Sequence, residues 1–112
     1  MNIAVENKNG VIVASIPVAD LDAANSGEFK HDIAPILESG TKLVIDLSAV
    51  RFVDSSGLGA MLSCLRQMTA RGGDLKLSGM SKQVRATFEL VRMNRIFDIY
   101  DTNEAAVLAF NS

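Results

Sequence analysis

The chain has 112 residues, of which 48% are hydrophobic and 21% are charged, as expected for one domain with one hydrophobic core. The formal net charge is −2 and no run of like charges occurs, which argues against nucleic acid or an anionic membrane as a partner. A single cysteine excludes an internal disulfide, and neither a signal sequence nor an apolar run of membrane-spanning length is present, so we expect a cytoplasmic protein.

The first predicted elements form a β-hairpin. Two strand-like segments, residues 3–5 and 11–16, flank a polar turn that ends at Gly10. Pro17 has no amide hydrogen for a sheet ladder, so we expect it at the end of the second strand or on an edge.

A short acidic loop, residues 20–22, leads to the first predicted helix, residues 23–38. Its apolar residues recur at helical spacing: Phe29, Ile33, Ile36 and Leu37. Gly27 weakens the first turns, and Pro35 removes one backbone hydrogen bond. We therefore expect this helix to start late or to be kinked.

The central segment joins a buried strand, residues 42–47, to an amphipathic helix. The apolar residues of the helix are Leu58, Met61, Leu62, Leu65 and Met68. Asp54 stands where this helix begins, and its carboxylate is a suitable N-cap because it can accept from the free amides of the first turn. We therefore expect Ser55 and Ser56 in that first turn, beyond the end of a strand.

The C-terminal half continues the alternation of strand and helix. Residues 75–78 and 96–100 are typical of strands, while Ser81 and Thr102 are candidate N-caps for the third and fourth helices. The predicted order is β-β-α-β-α-β-α-β-α. This order indicates an α/β fold, a mixed sheet with crossover helices, in one domain that covers residues 1–112.

Several kinds of active site find little support in the sequence. His31 and Cys64 are the only residues of their types and show no metal-ligand spacing, and Cys64 is expected in the core. Residues 54–57, Asp-Ser-Ser-Gly, lack the Gly-x-Ser-x-Gly pattern of a hydrolase nucleophile. A dinucleotide-binding pattern fails because Leu62 occupies the position of its third glycine. We expect no catalysis, no cofactor and no metal.

The hydroxyls at the start of the central helix are candidates for modification by another protein. Phosphate on Ser55 or Ser56 would add about −1.5 to −2 charges close to the amides of a helix N-terminus. Gly57 and Gly59 lack side chains that would hold a partner away, so phosphate here would oppose docking through repulsion and bulk. The simpler interpretation is that Asp-Ser-Ser only caps the helix.

Residues 44–59, VIDLSAVRFVDSSGLG, resemble the signature of STAS domains, and specifically of bacterial anti-sigma factor antagonists. Three further segments resemble the family in the expected order: the acidic loop at 20–22, the helix-to-strand turn at 72–75 and the third helix at 81–90. The resemblance covers most of the chain. It implies the STAS fold, a single α/β domain.

The resemblance also implies a protein–protein switch without catalytic activity. In such families the unphosphorylated antagonist binds an anti-sigma factor that is also a serine kinase, and a sigma factor is thereby released. ATP and Mg²⁺ belong to the kinase, and a metal-dependent serine phosphatase restores the binding form. The family acceptor is the first serine after the aspartate, which corresponds to Ser55, with Ser56 as the second choice.

The same correspondence predicts the partner-binding residues. They are Asp20, Leu21, Asp22, Asp54, Ser55, Ser56, Gly57, Leu58 and Gly59. We expect a monomer, because no heptad or apolar stripe stands out.

Other roles remain open within the same fold. STAS domains also serve as scaffold or sensory modules, and as soluble subunits of lipid transporters, which do not need a phosphorylatable serine at the helix start. The Asp-Ser-Ser-Gly segment favours the switch. A small serine hydrolase is a third possibility, for which the sequence offers little.

Overall fold

The computed structural model describes residues 1–112 as two β-sheets and four α-helices. The strands are β1 (Ala4–Lys8), β2 (Val11–Ser15), β3 (Asp20–Leu21), β4 (Lys42–Asp46), β5 (Phe52–Val53), β6 (Asp74–Ser78) and β7 (Asp98–Tyr100). The helices are α1 (Ser26–Glu38), α2 (Ser55–Ala70), α3 (Lys82–Leu90) and α4 (Asn103–Phe110), with a short 3₁₀ helix at Met93–Arg95. None of these helices combines the length and hydropathy needed to cross a lipid bilayer.

The main sheet is mixed and has the strand order β1-β2-β4-β6-β7. β1 and β2 are antiparallel, and the turn between them places Asn9 and Gly10 at positive φ. The other pairs are parallel, so the helices between these strands are crossover connections. The predicted hairpin and the predicted α/β class are both confirmed.

Two short strands that the sequence pattern did not reveal form a second sheet. β3 and β5 are parallel, and Asp20 pairs with Phe52 while Leu21 pairs with Val53. The predicted order therefore lacks one strand before α1 and one before α2. Each has only two residues, which is too short for a pattern of alternation to show.

The main sheet has an apolar cluster on each face. The larger cluster joins the sheet to α1, α2 and α3, where Phe29 and Phe88 are fully buried. The smaller cluster joins it to α4, with Val44 and Ala106 among its members. Cys64 lies in the larger cluster as predicted, and burial raises the pKa of its thiol to about 12, so the thiol is unreactive at neutral pH.

The helix ends follow the sequence closely. α1 begins at Ser26 rather than at residue 23, which is the late start expected there, and it includes Pro35. Ser81 and Thr102 are confirmed as caps, because each hydroxyl accepts from the backbone amide three residues later in the chain. β7 is shorter than the predicted segment 96–100, because the 3₁₀ helix extends almost to its start.

One side chain that is distant in sequence caps the C-terminal end of α1. The Arg71 guanidinium, just after α2, donates to the carbonyl oxygens of Glu38 and Gly40, each at 3.0 Å, and also to that of Leu37. These carbonyls have no partner within α1, so Arg71 fixes the relative position of α1 and α2.

Candidate functional site

The start of α2 is fixed by Asp54. Its backbone is extended, as an N-cap requires, and its Oδ1 accepts from the Gly57 amide at 2.9 Å. Ser55 is exposed and Ser56 is half-buried. The hydrogen bonds that fix this turn are made by the Asp54 carboxylate and the backbone, and none uses a serine hydroxyl. Both hydroxyls are therefore available to an incoming group.

Residues 20–25, which we call the acidic turn, are held together by their own side chains. The Asp22 amide donates to Asn25 Oδ1 at 3.0 Å, and Asn25 Nδ2 donates to the Asp20 carbonyl oxygen at 2.7 Å. Asp22 Oδ1 in turn accepts from the Ala24 amide at 3.0 Å. Asn25 was not among the predicted site residues, although Asn and Asp in this spacing are typical of side-chain-stabilised turns.

The acidic turn and the start of α2 are adjacent although they lie far apart in sequence. The Ala23 amide donates to Asp54 Oδ2 at 3.1 Å, and the Asp54 amide donates to the Leu21 carbonyl oxygen at 3.3 Å. The β3–β5 pair runs directly into this contact. The two segments that the sequence assigned to one docking surface therefore meet in the fold.

Gly57 has a role different from the one expected. A Cβ at this position would overlap the Leu21 carbonyl oxygen and would lie 2.8 Å from Val53 Cγ1. The missing side chain thus lets β3 pack against α2, rather than leaving space for a partner. Gly59 does face open space, as expected, because an added Cβ would meet nothing within 4 Å.

The predicted residues divide by exposure. Asp20, Ser55 and Gly59 are exposed, while Asp22, Asp54 and Ser56 are half-buried. Leu21 (0% exposed) and Leu58 (8% exposed) belong to the larger apolar cluster, so their side chains support the surface from beneath instead of forming it.

One surface residue was missed by the sequence analysis. Phe52 is 47% exposed, which is unusual for a large aromatic side chain, and it lies in β5 two residues before Asp54. No alternation in the sequence could have identified it, because β5 has only two residues; in the structure Phe52 and the buried Val53 point to opposite faces of the strand. Phe52 adds an apolar element to a polar surface.

The charged side chains among the predicted docking residues are all carboxylates. The carboxylates of Asp20, Asp22 and Asp54 take part in none of the ion pairs of the protein. Basic groups on a partner would therefore favour docking at these residues.

Other potential sites are separate from this surface. No three His, Cys, Asp or Glu side chains are grouped as a metal site would require. The exposed His31 contacts only the neighbouring Asp32 through its ring nitrogen. A cavity of about 290 Å³ lies between α3 and β7, lined by Arg85 and residues 94 and 97–100, and shares no residue with the start of α2.

The chain is similar in sequence to known proteins over nearly its whole length. The family model of the STAS domain matches residues 2–106. The anti-sigma-B factor antagonist of Bacillus subtilis is 29% identical over 108 residues, which cover 96% of this chain and 99% of that protein.

Solved structures give the same result for the fold. An anti-sigma factor antagonist from Mycobacterium paratuberculosis superposes with a TM-score of 0.87 at 26% identity, covering 99% of this chain and 94% of that one. The Bacillus cell fate determinant SpoIIAA in its phosphorylated form has a TM-score of 0.70 at 20% identity, covering 97% and 99%. At that identity the second likeness concerns the fold alone.

Proposed function

The chain belongs to the STAS domain family, among the anti-sigma factor antagonists, and we propose that phosphorylation of Ser55 controls whether it binds its partner. The observation that carries this proposal is the exposed Ser55 hydroxyl, which no hydrogen bond within the chain engages, at the first position of a 16-residue helix. The amides of the first helical turn tolerate the charge of a phosphate at this position.

In the unphosphorylated form, the chain binds an anti-sigma factor that is also a serine kinase, and the sigma factor is released. The kinase supplies ATP and Mg²⁺, and a metal-dependent serine phosphatase reverses the modification. The chain acts in the cytoplasm as a ligand and a substrate, with no catalysis of its own. The acidic surface around Ser55 supports docking against a basic face of the kinase.

Phosphate changes this surface without unfolding it. It adds about −1.5 to −2 charges beside Asp54, on a surface that already carries Asp20 and Asp22. Loss of one charged contact of about 1.4 kcal/mol lowers affinity about tenfold. The phosphorylated form therefore releases the kinase while the fold is retained.

The experiment is phosphate transfer in vitro, measured by intact mass with fragment-level mapping. The protein is incubated with ATP and Mg²⁺, alone and then with each anti-sigma-type kinase of the organism that encodes it. We expect one phosphate on Ser55 only when a kinase is present. Ser55→Ala should abolish the transfer, and the matched control Ser56→Ala should retain it.

A binding assay separates charge from bulk at the same position. Ser55→Asp should bind the kinase at least about tenfold more weakly than the native protein, whereas Ser55→Asn, which has the same size and no charge, should retain most of the affinity. Phosphate on Ser56 would correct the residue. No transfer with any such kinase would overturn the proposal and favour a scaffold or transporter role.

A further inference from the structure

We infer that Asp54 is a positioning residue that ties the acidic turn to the start of α2, so that the turn and Ser55 form one preorganised docking surface. This inference rests on the proposed function, because it concerns the same surface. It assigns Asp54 a task directed into the protein, in place of the direct partner contact that the sequence suggested.

The two carboxylate oxygens of Asp54 are engaged by different segments. Oδ1 accepts from the Gly57 amide at 2.9 Å, and Oδ2 accepts from the Ala23 amide at 3.1 Å. Ala23 lies 31 residues before Asp54 in the chain. Hydrogen bonds to an ionised carboxylate are stronger than those between neutral groups, and this one side chain makes such a bond to each segment.

The turn has few other attachments to α2. Residues 20 and 21 are held beside α2 by the two-residue β3–β5 pair and by the bond from the Asp54 amide to the Leu21 carbonyl oxygen. The bonds made by the side chains of Asp22 and Asn25 remain within the turn. Among residues 22–25, the Ala23 amide is the one group that makes a hydrogen bond to the start of α2. Without that bond, residues 22–25 would keep their internal shape and lose their hydrogen-bonded attachment to the start of α2, while residues 20 and 21 would stay paired with β5.

A fixed position matters for binding because a partner must otherwise order the turn when it docks. The cost of immobilising mobile groups reduces affinity, and preorganisation removes that cost. The half-buried Asp22, next to Ala23, would then present its charge at a set distance from Ser55. Loss of the tie should weaken binding about tenfold, the effect of one hydrogen bond to a charged group.

The tie can be broken from either side. Asp54→Asn keeps an oxygen for the Gly57 amide but places an NH₂ group against the Ala23 amide, so that two donors face each other. Ala23→Pro removes the amide hydrogen and leaves the Asp54 charge intact. Ala23 is the second residue of the turn closed from the Asn25 amide to the Asp22 carbonyl, where proline is compatible with the backbone.

Two measurements test the inference. Amide hydrogen exchange in the isolated protein should become faster at residues 22, 24 and 25 in both variants, with α2 beyond its first turn unchanged. Kinase binding should weaken about tenfold in each variant, and the double variant should be no weaker than either one, because both changes remove the same bond. Thr102→Ala removes the cap of α4 and serves as the control, since it should lower stability without changing affinity.

The outcomes are distinct from those of the phosphate-transfer experiment. Unchanged exchange in both variants would overturn the tie itself, whether or not a kinase is found. Faster exchange with unchanged binding, or additive losses in the double variant, would overturn the positioning role while the phosphorylation switch could still hold. Faster exchange with equal, non-additive losses supports it.

Discussion

Two aspartates organise two regions of this molecule in different ways. Asp54 follows β5 at the surface and joins two backbone segments. Asp46 ends β4 and accepts from Asn103 Nδ2 at 3.0 Å, from the Ser48 amide at 2.9 Å and from Ser15 Oγ at 3.4 Å. Both carboxylates thus connect parts of the chain that are distant in sequence.

The difference lies in what surrounds them. Around Asp46 the hydroxyls are engaged: the buried Ser78 donates to Asn103, which donates to Asp46, and this chain of bonds holds α4 on the sheet. Around Asp54 the hydroxyl of Ser55 is free. Near Asp46 the polar groups stabilise the fold, whereas near Asp54 the Ser55 hydroxyl remains available to react. A carboxylate at a strand end therefore does not by itself indicate a functional site.

The strongest way to break the Asp54 region is Gly57→Ala. The new methyl group would overlap the Leu21 carbonyl oxygen, which is backbone and cannot move aside cheaply. We expect a loss of about 3 kcal/mol in the free energy of unfolding, measured by urea denaturation. Gly59→Ala is the matched control in the same helix, and it should stabilise by about 0.5–1 kcal/mol because the space there is open. Equal effects at both positions would contradict the close packing.

Asp46→Asn tests how much the Asp46 region contributes to the stability of the fold. Burial would raise the pKa of Asp46, but the hydrogen bonds from Asn103, Ser48 and Ser15 together hold it below its usual range. We expect a loss of about 2 kcal/mol in the free energy of unfolding at pH 7, with phosphorylation of Ser55 unchanged.

The stability lost in Asp46→Asn should depend on pH in one direction. A depressed carboxyl pKa contributes its full stability above the unfolded-state value of about 4, and the contribution disappears as the pH falls through the lower folded-state value. The difference between native protein and Asp46→Asn should therefore shrink in denaturation curves measured progressively below about pH 4. A difference that grows on acidification would contradict the assignment.

The smallest effect on stability is expected for Phe52→Ser. The side chain is 47% exposed, so its loss should change the free energy of unfolding by less than about 1 kcal/mol. Kinase affinity should nevertheless fall, because an exposed aromatic at an interface contributes strongly to binding. Leu108→Ser, at a position on α4 that is 68% exposed, is the control and should leave affinity unchanged. Calorimetric titration of both variants measures the difference.

The sequence predicted the elements in which apolar residues recur at a regular spacing. Helical spacing identified α2, and the caps Asp54, Ser81 and Thr102 were identified because each is a short polar side chain before an apolar period. The strands β3 and β5 were missed because two residues carry no period, and their pairing depends on contacts across about 30 residues of chain.

The candidate site was predictable as a set of positions but not as a set of roles. Residue type alone does not show that Leu21 is fully buried, that Gly57 makes space for β3, or that Asp54 Oδ2 meets the Ala23 amide. Those roles depend on how the acidic turn packs against α2. Spacing along the chain does not encode that packing.

The separate β3–β5 ladder bears on how duplicated genes diverge. The acidic turn and the start of α2, which we propose as the docking surface, are attached to a ladder of their own, outside the main sheet. Copies of such a gene can therefore change partner at the acidic turn and around Phe52 while the sheet residues that maintain the fold stay the same. We expect paralogues that operate side by side in one cell to differ most in these two short segments, so that parallel pathways are insulated from each other by only a few substitutions.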